Sequence, residues 1–161
     1  MGLNDPKTIV VLGVGNTLMS DEAVGVRVIE GLVLRAGEFP TVEFIDGGTA
    51  GLALLSLIED YAGLITVDAA SMDEPPGSVR TFEGEAMDAF LGTRSRSAHD
   101  IGLDDLLNAQ RIRGLLPERR ALVGIQPERL NLGENLSPPV ATALPTAIAA
   151  VTDVIDRWQE E

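Results

Sequence analysis

With 161 residues, 45% of them hydrophobic, the chain is long enough for one domain with a sizeable core, and a single domain over residues 1–161 is expected. A net charge of -13 argues against nucleic acid or an anionic membrane surface as a partner. Cysteine is absent, which excludes disulfides, thiolate metal sites, iron-sulfur clusters and a cysteine nucleophile. The first residues, MGLNDPKT, hold no apolar core of signal-peptide length, and nowhere do 18 apolar residues run together, so cytoplasmic residence is expected.

The first apolar run, residues 9–12, breaks at Gly13-Val14-Gly15-Asn16, and Asp21-Glu22 then opens a second apolar segment with helical spacing. This predicts a strand, a tight turn and an acidic helix start. Glycine permits backbone conformations closed to other residues, and Asn16 tolerates the left-handed region. Ser20 or Asp21 suits the N-cap, and the helix dipole favours carboxylates in the first turn, so the acidic pair has a structural explanation. A dinucleotide fingerprint fails because Leu18 stands where the third glycine belongs, and two carboxylates would repel a pyrophosphate. The turn suits a cation better than an anion.

Residues 22–36 read as a well-buried helix, with Val24, Val28 and Leu32 at helical spacing. A second strand, 42–45, ends in Asp46-Gly47-Gly48-Thr49. Residues 50–59 read as a helix with Leu52, Leu55 and Ile58 inward, and a third strand, 64–67, finishes at Asp68. In a β-α-β-α-β chain with right-handed crossovers the strands are parallel, and whatever follows each gathers at one edge of the sheet. Glu22, Asp46 and Asp68 are therefore expected to be neighbours.

A Pro-rich turn leads into a fourth strand, 78–82, whose alternation suits an edge position. A short helix over 83–91 follows, and then a polar loop, GTRSRSAHD, that carries the sole histidine, His99. Helical spacing resumes over 102–113 with Leu103, Leu106, Leu107 and Ile112, Asp100 being placed to cap it. A last strand, 120–125, runs into Gln126-Pro127-Glu128, and 139–158 is an amphipathic helix with Leu144, Ile148, Val151, Ile155 and Trp158 on one stripe.

If the polar loop folds back over the strand ends, His99 meets Glu22 and Asp68. One nitrogen and two carboxylates with open positions suit a borderline divalent metal that must still accept another ligand. H-E-x-x-H, G-x-S-x-G and P-loop motifs are absent. Two readings stay open beside the metal: a carboxylate dyad sharing a proton, and Asp46-Gly47-Gly48-Thr49 as either a docking rim or a plain strand-helix turn.

Five motifs in register, GVGNTLMSDEAVGV, DGGTAGLALL, TVDAA, SAHDIGL and GIQPE, resemble those of the hydrogenase maturation endopeptidases that process nickel-iron hydrogenase large subunits. The resemblance implies a three-layer α/β/α fold with a twisted, mainly parallel sheet of about five strands. It implies metal-contacting residues at Glu22, Asp68 and His99, which would also be the catalytic set, with Asp46 as a base or positioning group. Substrate-docking loops would comprise Gly13, Gly15 and Asn16, and Asp46, Gly47, Gly48 and Thr49. The implied activity is removal of a C-terminal extension from the large-subunit precursor after nickel insertion, the nickel arriving in the substrate, so that the resting enzyme can be metal-free. A non-catalytic nickel-checking metallochaperone or scaffold for the same subunit is the alternative. One departure is Ala23, where a glycine often follows the glutamate.

Overall fold

In a computed structural model, which describes residues 7–48, 51–93 and 103–161, the first apolar run forms the central strand β1 (Ile9–Val14), buried along nearly its whole length. Strands covered on both faces read as continuous apolar runs, and β1 is covered on both. It pairs in parallel with β2 (Val42–Gly48) and β3 (Gly63–Ala69). Beyond β3 lie β5 (Arg119–Ile125), parallel, and β4 (Val79–Glu83), antiparallel at the edge, giving the order β2-β1-β3-β5-β4. The fourth strand is thus the edge strand its alternation predicts.

Successive side chains of a strand point to opposite faces, and the sequence supplies apolar residues to both. Ile9, Val11, Ile65, Val67, Val123 and Ile125 face α1 (Val24–Val33) and α5 (Pro138–Glu160). Val10, Leu12, Leu64 and Leu122 face the layer of α2 (Leu55–Ile58), α3 (Glu85–Gly92) and α4 (Leu103–Ile112). The result is the expected three-layer α/β/α arrangement. By length and composition α5 could cross a membrane; here Val151, Val154, Ile155 and Trp158 are buried in the first of these cores.

Three local expectations change. The helix over 50–59 is a 3-10 turn, Gly51–Leu54, followed by the single turn of α2. Leu54 and Ile58, one helical turn apart, are its buried anchors. Ile112 is 87% exposed, because the inward stripe of α4 runs through Leu103, Leu106, Leu107 and Gln110 and Ile112 falls off that 3.6-residue period. Neither Ser20 nor Asp21 caps a helix: the chain enters α1 through a 3-10 turn, Ser20–Ala23, with no side-chain cap. The cap position offered to Asp100 lies outside the described residues.

One ion pair ties the second helical layer to the sheet. Arg120 donates from Nε to Asp88 Oδ1 at 2.9 Å and from Nη2 to Oδ2 at 2.6 Å, with its side chain 11% exposed. The Arg120 guanidinium holds the Asp88 carboxyl below its ordinary value of 3.8. A carboxyl lowered by folding stabilises the native state above its unfolded pKa, and that contribution is lost as pH falls through the lowered folded value. Asp88→Asn is therefore expected to lose about 1–3 kcal/mol at neutral pH and to lose less than wild type on acidification below about pH 4. Urea unfolding at neutral and acid pH measures both.

Candidate functional site

The connection leaving β1 runs through α1 to β2, whereas the chain after β3 leads to the opposite side of the sheet, towards β5. The point between β1 and β3 at their carboxyl ends is thus a topological switch point, where open α/β sheets bind ligands. Glu22 lies in the 3-10 turn that follows β1, and Asp68 is the penultimate residue of β3. Both line a cleft of about 700 Å³ at this point, together with Arg80, Thr93, Pro127 and Leu130.

Close backbone packing sets the position of Glu22. Gly15 adopts φ +134°, and a Cβ there would lie 1.8 Å from the Glu22 carbonyl oxygen. In α1, a Cβ on Gly25 would lie 2.2 Å from Val67 O and 2.6 Å from Val14 O. Only with glycine at both positions can the turn and the first coil of α1 press onto the ends of β1 and β3, one residue from Asp68. Gly13 and Gly15 are buried, so both are used inside the protein. Asn16 closes its own turn, its Oδ1 accepting from Leu18 N at 2.9 Å.

Asp21 has a role that the local sequence does not reveal. It is fully buried, and its carboxylate accepts four hydrogen bonds. Glu128 N and Arg129 N donate to Oδ2 at 2.8 and 2.9 Å, Ser137 N to Oδ1 at 2.7 Å, and Ser137 Oγ to Oδ2 at 2.8 Å. Burial opposes its ionisation, but these donors outweigh it and hold the carboxyl below the ordinary 3.8. Asp21 thus latches the segment after β5, which supplies Pro127 and Leu130 to the cleft, onto the turn carrying Glu22. The neighbouring Gln126 performs a similar task on the other wall: its Oε1 accepts from Met72 N at 2.6 Å, fixing the loop that follows β3.

Asp46 does not join Glu22 and Asp68 in lining the cleft. It pairs in register with Gly13 on the far side of β1 from β3, which sets the backbones at Asp46 and Asp68 two strand spacings apart, roughly 9–10 Å. Its side chain is exposed and its Oδ1 accepts from Gly48 N at 2.9 Å, while Gly48 O accepts from Gly15 N at 3.0 Å. Gly47 is buried. Thr49 and His99 lie outside the described residues. Thr93, which immediately precedes the undescribed stretch holding His99, is itself on the cleft wall. Among the described residues no group of three His, Cys, Asp or Glu side chains could hold a metal ion, and the sole histidine is not among them.

Glu22 and Asp68, with Asp73 a third carboxylate on the lining, make an open polar cleft that attracts a divalent cation and leaves coordination positions for a further donor. Arg80, the one cationic side chain on the described wall, sits over the Phe82 ring at 4.9 Å and 3.8 Å from Glu74. Sequence reasoning did not single it out, because its placement depends on the pairing of β4 with β5.

A family model described as hydrogenase maturation protease matches residues 26–154. The chain is 41% identical over 144 residues to the hydrogenase 2 maturation protease of Escherichia coli K12, covering 89% of this chain and 87% of that protein. It is 36% identical over 151 residues to the hydrogenase expression/formation protein HoxM of Cupriavidus necator, covering 93% and 75%. Among solved structures, the E. coli hydrogenase maturating endopeptidase HybD matches with a TM-score of 0.82 at 36% identity over 93% of each chain. The [NiFe] hydrogenase maturation protease HybD of Thermococcus kodakarensis matches with a TM-score of 0.76 at 25% identity, over 91% of this chain and 98% of that one.

Proposed function

Since this chain belongs to the hydrogenase maturation protease family, we propose that it removes a C-terminal extension from a nickel-iron hydrogenase large-subunit precursor once nickel has been inserted. The observation that supports this most directly is the pairing of Glu22 and Asp68 in one cleft at the switch point of the sheet. We assign the third ligand to His99, which follows the cleft-lining Thr93 by six residues in the sequence.

One imidazole nitrogen and two carboxylates form a modest site for a borderline divalent metal, so tight engagement needs the ligands that the substrate brings with it. Cleavage then becomes conditional on a loaded substrate, which is a checkpoint on cofactor assembly. Nickel held by the precursor would polarise the scissile carbonyl or an attacking water. Glu22 and Asp68 hold the substrate's metal centre against the cleft wall. Asp46, whose carboxylate closes the turn onto Gly48, is assigned to shaping the glycine-rich loop rather than to proton transfer.

Intact mass of a large-subunit precursor, incubated with this protein with and without nickel loading, tests the proposal. Loss of a single C-terminal fragment in the nickel-loaded sample alone is the expected result. Equal cleavage of the unloaded precursor would remove the nickel checkpoint. Nickel-dependent binding with no change of mass would make the protein a nickel-checking scaffold.

A further inference from the structure

The large apolar side chains left exposed among the described residues separate by topology. Val33 and Leu34 at the end of α1, Leu57 in α2, and Ile112 and Leu115 at and just after the end of α4 lie where the chain returns to the amino ends of the strands. Exposed apolar side chains at helix ends, spread over three separate connections, are ordinary on a folded protein. Leu18, Leu130 and Leu132 are 53%, 47% and 79% exposed and lie at the opposite edge, around the cleft.

These three leucines sit on a fixed backbone. Ser20 N donates to Gly133 O at 2.8 Å and Gly133 N to Leu18 O at 2.9 Å, and Met19 pairs with Gly133 in a parallel bridge. Ser20 Oγ donates to Asn131 O at 2.8 Å. Segments 18–20 and 129–133 are thus sewn together, and Asp21 anchors the second of them through Arg129 N. None of these bonds involves a leucine side chain, so the leucines contribute little to folding where they stand. Leu130 also lines the cleft, and Leu132 stands two residues further along the same anchored segment, with Leu18 bonded through its backbone to Gly133.

We propose that Leu18 and Leu132 form an apolar ledge that binds an apolar stretch of the precursor polypeptide beside the segment entering the cleft. The proposal rests on the processing function proposed above and names the part of the substrate that the enzyme grips away from the metal. Apolar anchors at a recognition surface commonly carry most of the binding free energy. The ledge therefore governs capture of the precursor, whereas the carboxylates govern the response to its metal.

The test uses Leu18→Ser, Leu132→Ser and Leu132→Met, with Leu34→Ser as a control at the far edge. Cleavage rate against concentration of nickel-loaded precursor, and affinity for the same precursor, are measured for each. Both serine variants are expected to raise KM and weaken affinity about tenfold with kcat unchanged. Leu132→Met and Leu34→Ser are expected to match wild type. Unchanged KM and affinity in both serine variants would overturn the ledge. If wild type binds the precursor without cleaving it, the processing function fails; affinity alone then decides the ledge, weaker binding by the serine variants sustaining it and equal binding overturning it.

Discussion

Glu22→Gln is expected to abolish processing of the nickel-loaded precursor while leaving the fold intact, and Asp68→Asn and His99→Gln are expected to do the same. The amide keeps the size of the glutamate side chain but loses the anionic oxygen that a divalent metal requires. Altering even an outer partner of a metal ligand commonly costs 10–100-fold in affinity or activity, so loss of a ligand is expected to exceed about 100-fold. Stability is expected to change little, because each substitution keeps the size of its side chain and Glu22 and Asp68 line an open cleft rather than the core. Intact-mass assays of the precursor alongside thermal melting of the variants separate the two effects. Processing at the wild-type rate in all three variants would dissolve the assignment of these residues.

The framework of this site was legible because it depends on short-range patterns. Apolar runs marked β1, β3 and β5, since strands covered on both faces carry little else, and chain order then dictated a common edge for whatever follows them. Glu22 and Asp68 fell onto one cleft for that reason alone. Asp46 stands near the carboxyl end of its strand in the same manner, yet β2 and β3 flank β1 on opposite sides, and strand order in a sheet is not encoded in local spacing. Leu132 and Arg80 were likewise out of reach, for their positions depend on which distant segments meet: 19–20 with 131–133 through their hydrogen bonds, and β4 with β5.

Asp21 illustrates the limit most clearly. A carboxylate beside a helix start has a sufficient local explanation in the helix dipole, and that explanation is the wrong one here. Its four donors come from residues 107 to 116 positions away, in a segment whose Asn, Gly and Pro content announces only a loop. Acidic neighbours thus divide the work: Asp21 turns inward and is spent on structure, and Glu22 lines the cleft. Spacing along the chain cannot separate these roles, since adjacent residues of a turn differ only in which side meets the core.

Asp21→Asn is expected to produce the largest loss of stability of these isosteric changes, about 2–4 kcal/mol, because a buried donor is left unpaired and the remaining bonds lose their charged acceptor. If the amide oxygen keeps the bond from Ser137 N, the amide nitrogen replaces Oδ2 and faces the N–H groups of Glu128 and Arg129. Flipping the amide only moves the conflict to Ser137 N. No orientation satisfies all the donors, and each buried donor left unpaired costs about 1–3 kcal/mol. For a chain of this length the thermal midpoint is expected to fall by about 10 °C, with a lower urea midpoint. Ser137→Ala, which removes one hydroxyl donor and leaves three N–H groups on the carboxylate, is expected to lose only about 1 kcal/mol. Since the latch also carries Pro127 and Leu130, processing by Asp21→Asn is expected to decline together with stability and to recover on cooling, whereas Glu22→Gln stays inactive in a fully folded protein. Equal stability of Asp21→Asn and wild type would mean that the segment after β5 is held by its bonds to Leu18, Ser20 and the Asp21 backbone alone.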